Sequence, residues 1–135
     1  MHLKRSSVLT LILAVAGAGT ACVSLAGDCS NQILREIASP NGKMKAVVFQ
    51  RDCGATVGFN TQVSVLPSSS KLPDDGGNVF VADGGQGNAH SGPFVAVSWT
   101  NDAELLVTYD KQARVFHNEA SVGNIRVRYE IVGSP

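Results

Sequence analysis

Residues 39–67, SPNGKMKAVVFQRDCGATVGFNTQVSVLP, constrain the fold more than any other stretch of the chain. Pro40-Asn41-Gly42 is turn chemistry, because proline presets φ while asparagine and glycine accept positive φ. The apolar run Ala46-Val47-Val48-Phe49 then predicts a strand over 43–51. A polar, glycine-punctuated loop follows over 51–58, carrying Arg51, Asp52 and Cys53. A second strand is expected over 61–66, with Val63 and Val65 on one face and Gln62 and Ser64 on the other. Pro67 cannot donate to a sheet ladder and closes it.

The rest of the chain repeats that rhythm. Residues 33–38 (ILREIA) read as a strand feeding the turn, with one turn of helix as the alternative. Residues 67–78 (PSSSKLPDDGGN) and 83–92 (DGGQGNAHSG) are loops by composition. Strands are expected over 78–82, 94–99, 105–109 and 125–132, with a short edge strand over 115–117. In the last long strand Ile125, Val127, Tyr129 and Ile131 alternate with Arg126, Arg128 and Glu130. No stretch shows a sustained helical period. About seven short strands with frequent turns predict an all-β domain, a small antiparallel sandwich or open barrel.

Residues 1–21 are read as a targeting segment. Lys4 and Arg5 precede an apolar region over 8–18, and small residues lead to Cys22. Cleavage before Cys22, as in a bacterial lipoprotein, is the favoured reading. Cleavage after Ala26 gives a soluble secreted or periplasmic chain, and an uncut segment gives a membrane anchor. Residues 22–32 then form a tether and residues 33–135 one β domain. The chain has three cysteines. Lipidation of Cys22 removes the odd one and leaves Cys29 and Cys53 to pair. That bridge closes a loop of about 25 residues and contributes about 3 kcal/mol on the chain-entropy model.

The residues SPNGK, AVVFQRDCGATVGFNTQVSVLP and the later NVFVADG resemble a family of small exported bacterial proteins of unknown function. That family carries a turn close to SPDGK followed by RDCGAT and TQVS; Asn41 stands here where the family usually has Asp. The resemblance implies a shared fold and export, and it carries over no catalytic residue. Residues 37–49 and 97–109 also align without gaps, and each is similar to the strand–turn–strand hairpin of a β-propeller blade. Two such units cannot close a propeller, which needs about four blades.

Composition narrows the function. Loss of Lys4 and Arg5 takes Lys+Arg from 11 to 9 against 11 Asp+Glu, a balance of −2. No basic stripe is present for nucleic acid. Cys53 with Asp52 and either His90 or His117 is the one arrangement that suggests a thiol-dependent or hydrolytic enzyme. A structural bridge to Cys29 competes with it and suits an exported domain better. Asp83-Gly84-Gly85-Gln86-Gly87-Asn88 resembles a single partial copy of a calcium-binding repeat, and such repeats work by stacking. Asp74, Asp75 and Asp83 are the remaining acids for a hard cation, against a reading as surface loop acids. No catalytic set, metal site or cofactor is expected.

The expected function is therefore non-enzymatic: a cell-envelope lipoprotein domain that binds an envelope protein or cell-wall component, held to the membrane by its N-terminal lipid or anchor. The expected binding loops are 51–60, through Arg51, Asp52, Thr56, Phe59 and Asn60, and 83–92. Phe59 is either a presented tip or a plug over the end of the sandwich. Phe80, opposite Val79 and Val81, is a further candidate contact. The aromatics Phe49, Phe94, Trp99, Tyr109 and Tyr129 fall at strand positions that suit a core. The third alternative is a periplasmic small-ligand module, with Arg114 or Arg128 pointing into a pocket between sheets.

Overall fold

The structure, a computed structural model, describes residues 29–54, 59–84 and 92–133. Two sheets face each other. The first has the strand order β1-β2-β3-β4-β7, from β1 (Ser30–Ala38), β2 (Met44–Asp52), β3 (Asn60–Pro67), β4 (Phe80–Asp83) and β7 (Arg114–Asn118). The second has the order β5-β6-β9-β8, from β5 (Val95–Asn101), β6 (Glu104–Asp110), β9 (Ile125–Val132) and β8 (Ser121–Val122). The expected all-β class is present, and of the sandwich and open barrel it is the sandwich that forms; neither sheet closes into a barrel. Among the described residues no helix is long and apolar enough to cross a membrane.

Period-two alternation builds the core. Ala46 and Val48 of β2, Val63 and Val65 of β3, and Phe80 and Ala82 of β4 face Val97, Leu105, Val107, Ile125 and Val127. Phe80 is fully buried rather than presented. It stacks 5.0 Å from Tyr109 and 6.0 Å from Tyr129, centroid to centroid. Val79 precedes β4, and Val79 and Phe80 are both buried in the core, so the expected alternation over 78–82 fails there. Asn78 stands in for a strand residue: its Nδ2 donates to Val65 O, and its Oδ1 accepts from Val65 N.

Four further differences from the sequence reading have physical causes. β6 and β9 run parallel, so the second sheet is mixed, because the chain leaves for β7 in the other sheet before it returns. The two-residue β8 is too short to register as a pattern. β1 begins at Ser30, three residues before the expected start, since its ladder with β2 continues to Ser30↔Asp52. Phe94 falls just before β5 and Ile131 near the end of β9, and they are 59% and 61% exposed.

The two alignable hairpins are real, and they meet tip to tip across the sheets. In the first tip Gly42 takes φ +72°, while Gly42 N donates to Ser39 O and Ser39 N to Met44 O. Asn41 N then donates to Asp102 Oδ1 of the β5–β6 turn at 2.7 Å. Trp99 Nε1 of β5 donates to Ile37 O of β1 at 3.0 Å, fastening the edges of the two sheets together at this end.

Candidate functional site

Among the described residues, the outer face of the first sheet carries an extended polar network. Residues 68–79, expected only as a loop, run across this face as a strap. Beneath it Val47 and Phe49 are fully buried although they point away from the inner core. Gly77 N donates to Gln62 Oε1 and Asn78 N to Ser64 Oγ, which explains why two polar residues of β3 are buried. A Cβ at residue 77 would meet Val63 O at 2.7 Å and Phe80 O at 2.8 Å, so only glycine lets the strap approach this closely.

Arg51 and Asn31, partners across β1 and β2, clamp the strap from the other end. Arg51 donates to Asn31 Oδ1 at 2.8 Å and to Asp74 Oδ1 at 3.0 Å. Asn31 Nδ2 donates to Pro73 O and Asp75 O. Two rungs beyond this pair the ladder ends in the Cys29–Cys53 disulfide. The bridge expected from the cysteine count is present.

Between the strap and β1 lies an open groove of about 630 Å³. Its walls include Ile33, Glu36 and Lys45 on one side and Ser68–Asp74 on the other. Lys45 Nζ is paired with Glu36 Oε1 at 3.2 Å. On the inner face of the same strand a second cleft, of about 290 Å³, opens between the sheets. Leu34 and Arg35 of β1 and Phe94 before β5 line it, above Val48, Gln50 and Thr61. A register shift at Leu34 separates the two walls, leaving Ile33 on the outer side and Arg35 on the inner.

The candidate residues separate accordingly. Arg51 and Asn60 serve the scaffold: Asn60 Nδ2 donates to Arg51 O, and Asn60 Oδ1 accepts from Arg51 N and Gln62 Nε2. Asp52 Oδ1 accepts from Gly54 N and shapes the turn after β2. Phe59 is 47% exposed beside that turn. Thr56, Cys22, His90 and most of the 83–92 loop lie outside the described residues.

The enzyme alternative meets two obstacles. The Cys53 sulfur is bonded to Cys29, so no thiolate is present. His117 belongs to β7, three strands from β2, a lateral separation of about 14 Å at ordinary strand spacing. His117 Nε2 instead lies 3.4 Å from Glu119 Oε1. The inward-pointing arginines of the small-ligand alternative are also corrected. Arg114 is paired with Asp83, which raises its pKa first by hydrogen bonding and then by charge, and it lies over the Phe116 ring. Arg128 is paired with Glu104 at 3.1 Å. Both arginines are exposed. Asp74 and Asp83 are each matched with a different arginine, and the described residues contain no group of three potential metal ligands.

Of the residues lining the two clefts of β1, Ile33, Leu34, Arg35, Lys71 and Leu72 carry no functional signal in the sequence reading. Their one local signal is the adjacent pair Ile33-Leu34, which breaks the strand's alternation. No protein-family model, curated protein or solved structure matches this chain.

Proposed function

We propose that this chain is an exported binding domain of the bacterial cell envelope, tethered through Cys22, which holds a protein or cell-wall partner. One observation carries the reading: Ile33, Leu34 and Phe94, each about half exposed, line the two clefts that flank β1. Isolated exposed apolar residues are ordinary, but a rimmed group of them beside clefts is how interaction surfaces present themselves. The disulfide agrees with an oxidising compartment, and the likeness to a family of small exported proteins points the same way.

Sedimentation with envelope fragments tests the proposal. A chain of residues 27–135 carries neither the lipid nor the apolar segment over 8–18, so retention reports a partner. It should co-sediment with fragments of its own host, and adding Leu34→Lys with Phe94→Lys should lower retention by about fivefold or more. No retention, or equal retention of both forms, would overturn the reading. Intact mass of the wild-type chain from a lipoprotein-processing host checks the tether: a diacyl adduct at Cys22 is expected, and an unmodified Cys22 contradicts it.

A further inference from the structure

The two clefts described above share one wall. β1 is an edge strand, hydrogen-bonded to β2 on one side, and the groove and the inter-sheet cleft open on its opposite faces. Side chains of a strand alternate between faces. A strand laid beside β1 would therefore send successive side chains into the groove and the cleft in turn. The Trp99–Ile37 contact closes this edge at its far end, leaving Ser30 to Glu36, about seven residues or 23 Å of extended chain.

Charge narrows the occupant. Glu36 is paired with Lys45 and Asp74 with Arg51. Arg35 in the inner cleft and Lys71 in the outer groove have no ion-pair partner among the described residues. Each cleft thus offers apolar wall and one unpaired cation: Leu34 and Phe94 with Arg35, and Ile33 and Leu72 with Lys71. A bulge and charged side chains ordinarily guard an edge against indiscriminate pairing. Here the same charges would discriminate among partners.

We propose that β1 accepts an added strand: an extended segment of a partner protein bearing apolar and acidic side chains, paired through backbone to residues 30–36. Strand addition gives affinity through main-chain hydrogen bonds, and pockets for alternate side chains give selectivity. This inference rests on the binding-domain reading above and specifies its mode.

Two synthetic seven-residue probe peptides test it, matched in valine content, one carrying three glutamates and the other three lysines. The isotope-labelled full chain is titrated with each, and amide exchange is followed by NMR. The glutamate peptide should bind about tenfold more tightly and slow exchange at residues 30–36. Arg35→Glu and Lys71→Glu together should abolish or reverse the preference, whereas Phe116→Lys, on the opposite edge of the sheet, should leave it unchanged. The inference fails if the peptides bind equally or not at all, or if protection appears on β7. It also fails if the β1 edge is already protected without peptide, by the chain's own N-terminal segment or a second copy. Should the probes fail while envelope retention persists, strand addition falls and the binding function stands. Loss of retention would remove both.

Discussion

Arg51 shows how a residue that reads as a ligand-binding cation can be consumed by the scaffold. In sequence it sits in a glycine-rich loop beside a cysteine. In the fold its guanidinium joins Asn31 and Asp74 and so ties the strap to two strands. Arg51→Ala should cost about 1–2 kcal/mol, read by denaturant unfolding, with the earliest loss of amide protection at Gly77 and Asn78. Tyr129 makes a second residue-level prediction. Its hydroxyl lies 2.7 Å from Glu119 O and 3.1 Å from Val79 O. Burial first, then the Glu119 charge and Tyr109, push its pKa from 10.0 to about 12. The unfolded chain therefore releases this proton first, and stability should fall as pH rises from about 10 towards about 12. Tyrosinate absorbance in a Tyr109→Phe background isolates the group; titration near 10 would refute the assignment.

Hairpins were the most legible elements, because their signals are local. The SPNG turn, the β2 run and the clean alternation of β9 each announce themselves within about ten residues, and β9 matches its expected span. What the strap covers was not legible, since PSSSKLPDDGGN looks the same whether it hangs in solvent or lies across a sheet. Only Val47 and Phe49, apolar on the supposed solvent face of β2, hint that something must cover them. The disulfide was legible by counting, but its position just past the last rung of the β1–β2 ladder was not. That position makes its effect local. A Cys29→Ser/Cys53→Ser chain should remain folded, lose about 2–3 kcal/mol, and show faster exchange at Asn31 and along residues 73–78. Unchanged exchange there would separate the bridge from the strap.

At the scale of the molecule, one core between two sheets positions everything else. Phe80, packed against Tyr109 and Tyr129, is the largest fully buried side chain of that core, and Phe80→Ala should cost about 3–5 kcal/mol by thermal or denaturant unfolding. The all-β class followed from strand spacing, alternation and the lack of a helical period, with sandwich and open barrel both left open. The parallel β6–β9 pair and the joined edges of β1 and β5 did not, because both depend on connections that pass between sheets. Among the described residues those long-range features leave β1 at the edge of its sheet with a cleft on each face. Site-specific photocrosslinking in living cells, from probes at Leu34, Phe94 and the distant Phe116, decides whether a partner docks on this edge. A partner held there gives a shared adduct from Leu34 and Phe94 and none of that mass from Phe116. Adducts from Phe116 alone, or equally from all three, would contradict that docking.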